Sequence, residues 1–120
     1  LYGADGRDPT AAPPNAVLTH VELPAPTRPL VFRKLQQRGA IDYALLLTAV
    51  APTPAGWEAV ISAVGPRPVV VAAATREELI TAVHKAVQPL STHQQASTWR
   101  KRMLRVEVGR ALAALPTSHA

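Results

Sequence analysis

The 120-residue sequence contains no cysteine. That absence excludes a disulfide framework, cysteine-based zinc sites and nucleophiles, and an iron–sulfur cluster held by this chain. Aromatic residues are also scarce, at 4% against 48% hydrophobic residues, so the core must be built from Ala, Val and Leu. No apolar run approaches the roughly 20 residues that a membrane helix needs. We therefore expect a cytoplasmic protein without a membrane span.

The sequence also lacks the common catalytic and nucleotide-binding motifs. It has no Gly-x-Ser-x-Gly elbow, no Gly-x-Gly-x-x-Gly fingerprint and no Walker loop. Glu77 and Glu78 are adjacent, but the first turn of a helix favours both through its macrodipole. The histidines do not pair at ligand spacing; they are His20, His84, His93 and His119. We predict no catalytic residue and no metal site, and the chain should not hold a nucleotide pyrophosphate by itself.

The length corresponds to one domain of ordinary size. Residues 1–16 contain three prolines and two glycines, a composition typical of a linker or N-terminal arm. Residues 17–115 are predicted to form the folded domain, and residues 116–120 a tail. Residues 17–23 alternate between apolar and other side chains, which predicts a half-buried strand that ends at Pro24.

Further strand patterns follow. Residues 30–36 predict a second strand, and the apolar run 43–51 predicts a buried strand, with a helix as the alternative. The proline-rich turn at 52–56 makes residues 57–64 the expected hairpin partner. Residues 69–71 are either a last short strand or an extended lead-in to the next element.

Two helices are predicted after the strands. Thr75 and Glu78 have the spacing of a capping box, and Pro89 marks the end of the first helix. Its apolar face consists of Leu79, Ile80, Val83, Val87 and Leu90. Ser97 or Thr98 is expected to cap a second helix that runs to Leu115. Its apolar stripe consists of Trp99, Met103, Leu104, Val108, Ala111, Leu112 and Leu115. The order of elements predicts an α+β fold, an antiparallel three- to four-stranded sheet followed by two helices packed on one face.

The formal net charge is +5, and many cations lie on the second helix. A basic helix can face a phosphate backbone, so a small nucleic-acid-binding or assembly module using the helix from Trp99 to Leu115 is one hypothesis. The basic stretch lacks interleaved exposed aromatic residues, which favours a solvated outer face instead. We do not favour nucleic acid as a partner.

The stretch from Phe32 to Ala44 combines an aromatic residue, clustered cations and a bend. In a strand, Arg33 and Lys34 point to opposite faces, so one of them should lie on the helix-covered face or at its rim. A bare charge there is costly and requires an anionic or electron-rich partner. Asp42 is one candidate for an internal ion pair. A bound cofactor or a neighbouring subunit is the other.

Four blocks of sequence resemble one family in order and spacing. Phe32-Arg33-Lys34, followed by Arg38-x-x-x-Asp42-Tyr43-Ala44, resembles a stretch of the flavoprotein (medium) subunit of molybdenum hydroxylases, the carbon monoxide dehydrogenase, xanthine dehydrogenase and aldehyde oxidase group. Three other blocks are similar to the family's opening strand, a central turn and the closing helix; they are residues 18–24, 63–68 and 98–112. The resemblance covers about residues 14–115 and concerns the C-terminal domain of that subunit.

The resemblance implies a domain that closes over FAD and mediates subunit contacts in a multi-subunit oxidoreductase. Electrons in that family pass from the molybdenum cofactor through iron–sulfur clusters to the flavin. The molybdenum cofactor and the clusters belong to partner subunits. The implied partners are an FAD-binding N-terminal half, an iron–sulfur subunit and a molybdopterin subunit. The implied cofactor-binding residues are Phe32, Arg33, Lys34 and Arg38.

The sequence also departs from the family pattern. The family's Gly-Glu before the opening strand is replaced by Asn15-Ala16. Its glycine-rich region for the FAD pyrophosphate has no counterpart here. We therefore expect a fragment of a longer flavoprotein subunit that shares FAD with a missing half or a partner chain and is not catalytically self-sufficient.

Overall fold

The computed structural model describes residues 2, 3, 5 and 7–116. Their regular elements are, in chain order, β1 (Val31–Leu35), β2 (Leu46–Thr53), β3 (Gly56–Ser62), β4 (Val69–Ala73), α1 (Arg76–Ala86) and α2 (Ser97–Ala114). The strands form one antiparallel sheet in the order β1-β2-β3-β4. The predicted α+β class, the four-stranded sheet and the two following helices are confirmed. The domain limits at 17 and 115 remain a prediction, and residues 117–120 of the predicted tail, with His119, lie outside the described residues.

The β2–β3 hairpin forms at the predicted proline-rich turn. Thr53 pairs with Gly56, which leaves Pro54 and Ala55 as the two turn residues. Gly56 has a φ of +134°, and a β-carbon there would lie 2.3 Å from the carbonyl oxygen of Ala73. Only glycine fits this position without moving the backbone of the neighbouring β4 end. The tight turn explains why β2 and β3 are neighbours in the sheet.

Both helices cover the same face of the sheet. α2 packs on β1 and β2, and α1 packs on β3, β4 and α2. The core between them is built almost wholly from aliphatic side chains, including Leu46, Val50, Ile61, Leu79, Val83, Leu104 and Val108. Full burial of one such side chain contributes about 1.5–3 kcal/mol. The predicted aliphatic core is thus confirmed.

The first helix begins as predicted. The Thr75 hydroxyl accepts a hydrogen bond from the Glu78 amide at 3.1 Å, and the Glu78 carboxylate accepts one from the Thr75 amide at 3.2 Å. The helix ends at Ala86, and Val87 is buried as its C-cap residue. Leu90, predicted on the apolar face, is instead exposed beyond the helix end. The prediction was wrong because Pro89 already interrupts the chain there.

Two other expectations are corrected. Residues 17–23 are exposed and form no strand, because alternation alone does not supply the neighbouring backbone that a strand needs. The N-cap of α2 is Ala96, without a side-chain hydrogen bond, rather than Ser97 or Thr98. The Ser97 amide bonds to the Ser91 hydroxyl at 3.1 Å, so a residue of the preceding loop caps the helix.

No helix in the described residues is long and apolar enough to cross a membrane.

Candidate functional site

β1 is an edge strand, and its side chains alternate between the two faces of the sheet. Val31, Arg33 and Leu35 point toward the helices, while Phe32 and Lys34 point to the opposite face, called here the open face. The sequence predicted that Arg33 and Lys34 would separate in this way. The structure shows that Arg33 is the cation on the helix-covered side.

Arg33 has its anionic partner inside the domain. Its Nε donates to Oε2 of Glu107 at 2.7 Å, and Nη1 of Arg110 donates to Oε1 of the same carboxylate at 2.8 Å. The Glu107 side chain is only 2% exposed, whereas that of Arg33 is 34% exposed. Two guanidinium groups therefore compensate one buried carboxylate, as the cost of burying a charge requires. The partner of Arg33 is Glu107 and not Asp42.

Asp42 organises the loop between β1 and β2. Its carboxylate accepts hydrogen bonds from the Arg38 amide, the Arg38 side chain and the Tyr43 amide, at 3.2, 3.3 and 2.9 Å. The side-chain bond from Arg38 is the main reason that the pKa of Asp42 lies below its ordinary value. Lys34 Nζ donates to the Asp42 carbonyl oxygen at 2.8 Å. The loop that carries Tyr43 is thereby held beside Lys34.

A cavity of about 300 Å³ opens in this loop, lined by Arg38, Ile41, Asp42 and Tyr43. Ile41 and Tyr43 are fully or almost fully exposed. Large exposed apolar side chains that lie next to a cation and a cavity are typical of an interaction site.

The open face carries an apolar row across all four strands. The pairing register places Phe32 beside Ala49, Ala49 beside Val60, and Val60 beside Val70. Phe32 is 59% exposed and Val70 62%, although both lie on a sheet whose other face is fully packed. Lys34 stands two residue pairs along from this row, opposite Leu47. The open face therefore offers a flat apolar surface with a cation at its β1 edge.

Arg100 is a buried cation whose position was not predicted. Only 2% of the residue is exposed, and its guanidinium donates to the carbonyl oxygens of Leu45, Ala63 and Leu90. Burial lowers the pKa of Arg100 from its ordinary value. The contacts join the start of β2, the end of β3 and the loop before α2. Its place in the first turn of an amphipathic helix gave no sequence signal for this role.

The basic surface of α2 is smaller than the sequence suggested. Arg100 is buried, and Arg110 is paired with Glu107, so two of the five cations on this helix have partners inside the domain. Trp99, predicted in the apolar stripe, is half-buried. The structure therefore adds nothing that favours a phosphate-facing helix. Among the described residues there is also no cluster of three or more His, Asp or Glu side chains that could hold a metal ion.

The predicted site residues thus fall into two groups. Phe32 and Lys34 lie on the open face, and Arg38 lies in the adjoining loop, joined to Lys34 through Asp42. Arg33 faces α2 on the other side of the sheet.

Among known proteins, the chain resembles others in three-dimensional structure only. No family model matches the chain, and no curated protein matches it. Its fold is similar to part of the Cu,Mo-CO dehydrogenase in its cyanide-inactivated form, with a TM-score of 0.60 and 18% sequence identity over 76% of this chain and 37% of that chain. It is also similar to part of quinoline 2-oxidoreductase from Pseudomonas putida 86, with a TM-score of 0.62 and 17% identity over 76% of this chain and 38% of that chain.

These likenesses confirm, at the level of the fold, the resemblance that the sequence blocks indicated. One of the two enzymes is a carbon monoxide dehydrogenase, the first member of the group named from sequence. This chain spans 37% and 38% of the two matched chains, so most of each of them has no counterpart here.

Proposed function

We propose that this chain is the C-terminal part of the flavoprotein subunit of a molybdenum-containing oxidoreductase. In this proposal it closes over FAD and contributes subunit contacts while electrons pass from iron–sulfur clusters to the flavin. The observation that carries the proposal is the uncovered apolar row beside Lys34, in a chain whose fold matches part of two oxidoreductases. The molybdenum cofactor and the clusters belong to partner subunits.

The residues on the open face suit one side of a flavin ring. The ring system is flat and aromatic with a polar edge, so it requires an apolar surface bordered by a hydrogen-bond donor or cation. Phe32 offers the apolar contact, and the Lys34 ammonium group lies beside it on the same face. FAD, when bound, supplies the two-electron acceptor. The pyrophosphate requires donors from the FAD-binding half, because this sequence has no glycine-rich phosphate loop.

Each predicted residue receives a distinct role. Phe32 packs against the ring, and Lys34 stabilises negative charge on the reduced flavin. Arg38 maintains the loop and its cavity through Asp42. Arg33 holds β1 against α2 through Glu107, and so acts on the cofactor only through the position of the strand.

Charge reversal at Lys34 tests the proposal. In the complex of this chain with its FAD-binding half, Lys34→Glu should lower the flavin reduction potential by on the order of 30 mV, since 1.4 kcal/mol corresponds to about 30 mV for a two-electron couple. The sign follows because the reduced flavin loses a stabilising positive charge. The measurement is a spectroscopic redox titration.

Lys85→Glu is the matched control. Lys85 is exposed in the last turn of α1, on the far side of the sheet from Lys34. The substitution Lys85→Glu changes the net charge by the same amount as Lys34→Glu. The control should leave the potential unchanged. Equal potentials for the two variants would reject the role of Lys34, and failure of the chain to form a complex with an FAD-loaded half would reject the proposed function as a whole.

A further inference from the structure

Arg100 is a buried cation without a counter-ion. Only 2% of the residue is exposed, and no carboxylate of the described residues forms an ion pair with its guanidinium group. Glu107, the buried acid of the same helix, has two guanidinium partners. The carbonyl oxygens around Arg100 carry partial charge only, and a buried charge is costly unless it is paired. The surroundings of Arg100 therefore lack an anion.

The same guanidinium group has unused hydrogen-bonding capacity. It carries five N–H groups, and its hydrogen bonds within the domain go to the carbonyl oxygens of Leu45, Ala63 and Leu90. Its Nε is buried and has no hydrogen-bond partner among the described residues. A buried donor without an acceptor is unfavourable, so Nε requires an acceptor that this part of the chain does not supply.

Arg100 forms part of the wall of a cavity of about 410 Å³. Val64 and Leu90 contribute apolar walls to this cavity, and Ser91 lies at it as well. The Ser91 hydroxyl accepts a hydrogen bond from the Ser97 amide at 3.1 Å, and it donates to no acceptor within the described structure. The cavity thus combines an apolar lining with two donors, the Arg100 side chain and the Ser91 hydroxyl.

The segments that line the cavity contain no acidic residue. Neither Asp nor Glu occurs in residues 59–76 or 79–106, which include every lining segment. The cavity also lies at the N-terminal end of α2, where the helix dipole is positive and the first turn carries no acid. The guanidinium charge of Arg100 adds to this positive potential. Both charges favour the same occupant, which is an anion.

We infer that this cavity binds a small organic carboxylate. The carboxylate accepts hydrogen bonds from Nε of Arg100 and from the Ser91 hydroxyl, while the apolar part of the ligand packs against Val64 and Leu90. An inorganic anion would leave the apolar walls without a contact, so an organic acid is the better occupant. The cavity lies on the helix-covered side of the sheet. The inference therefore does not rest on the proposed function, which concerns the open face.

Titration of the full chain with benzoate, followed by NMR through the Nε–H signal of Arg100, tests the inference. Benzoate carries one carboxylate on an apolar ring. The Arg100 signal should shift in a saturable way, with a dissociation constant of about 1 mM or lower. Benzamide has nearly the same shape without the charge, and it should bind at least about tenfold more weakly because it cannot neutralise the guanidinium group.

Leu90→Glu and Leu90→Gln are a matched pair that leaves Arg100 in place. The Leu90 side chain is 65% exposed, so both substitutions are compatible with the fold. The first adds a carboxylate at the cavity from the chain itself, and it should weaken benzoate binding by at least about tenfold relative to the second. The two variants lose the same leucine contact and differ in charge. Substitution of Arg100 is a poorer test, because its carbonyl contacts join three parts of the domain.

Four results would overturn the inference. The first is an unshifted Arg100 signal at benzoate concentrations up to about 20 mM. The second is equal affinity for benzoate and benzamide, which would mean that the cavity selects the ring and not the charge. The third is sulfate binding as tight as that of benzoate, which would assign the cavity to inorganic anions. The fourth is equal benzoate affinity of the two Leu90 variants, which would place the bound benzoate elsewhere.

Discussion

Arg33 and Lys34 are neighbours in the chain, yet their side chains lie in different environments. Arg33 is paired with a buried carboxylate on α2, and Lys34 is exposed on the open face beside Asp42. The separation follows from the alternation of a strand. Which of the two is covered depends on the side of the sheet that receives the helices.

At the residue scale, we predict that Glu107→Gln destabilises the domain by about 1–3 kcal/mol, because neutralising the buried carboxylate leaves two guanidinium groups without their counter-charge. The value lies below the larger figures known for buried pairs because Arg33 and Arg110 are partly exposed and can hydrate. Urea unfolding measures the change. Glu22→Gln, at an exposed position outside the helices and strands, is the control, and equal stability of the two variants would contradict the ion network.

The contribution of Asp42 to stability depends on pH. The hydrogen bond from the Arg38 side chain lowers the pKa of Asp42 below the ordinary 3.8. The Asp42 carboxylate therefore stabilises the fold at neutral pH, and this stabilisation is lost as the pH falls through the folded-state pKa. NMR titration of the Asp42 carboxyl carbon should show this low value. Arg38→Gln should raise the pKa toward 3.8, and no change in that variant would rule out the Arg38 contact as the cause.

At the scale of elements, the two helices begin by different means. α1 has a complete capping box, and α2 has an alanine at its N-cap with Ser91 bonded to the Ser97 amide. Thr75 was recognisable from sequence because its partner Glu78 is three residues away. Ser91 was not, because the loop conformation that brings it to α2 is set by tertiary contacts, including those of Arg100.

We therefore predict unequal effects of two similar substitutions. Thr75→Ala should cost about 1 kcal/mol, the usual value for a lost N-cap. Ser97→Ala should cost less than about 0.5 kcal/mol, since its hydroxyl has no capping role. Thermal unfolding of both variants checks the difference. A loss of stability for Ser97→Ala as large as that for Thr75→Ala would show that the Ser97 hydroxyl does cap α2.

At the scale of the whole molecule, the chain has a packed part and an unpacked part. The sheet and helices bury a continuous aliphatic core, while the described residues from 11 to 30 are exposed. Arg28 links the two parts through its contacts with Pro52 and Glu58. Prolines at both ends of residues 13–29 oppose regular pairing of this segment with the sheet, and its apolar side chains stay exposed.

We predict that a chain beginning at residue 27 keeps the stability of the full chain within about 0.5 kcal/mol, because the removed residues add little to the core. The shortened chain retains Arg28 and its contacts. Guanidinium unfolding of both chains measures the difference. A loss of several kcal/mol would mean that residues 1–26 contribute to the fold of this chain itself.

The sequence by itself determined the α+β class, the β2–β3 hairpin, the capping box of α1 and the aliphatic core. Each of these depends on residues close together in the chain or on overall composition. Its resemblance to the flavoprotein family also named Phe32, Arg33, Lys34 and Arg38 as candidates, and their role in binding a cofactor remains a prediction.

Only the tertiary structure decided which groups pair with the cations and whether residues 17–23 form a strand. Glu107 lies 74 positions from Arg33, and Arg100 lies 55 positions from Leu45, so no local pattern connects them. The alternation of residues 17–23 is a strand's alternation, but whether a strand pairs depends on an edge elsewhere in space. Side-chain periodicity determines which residues share a face, and packing between distant segments determines what that face meets.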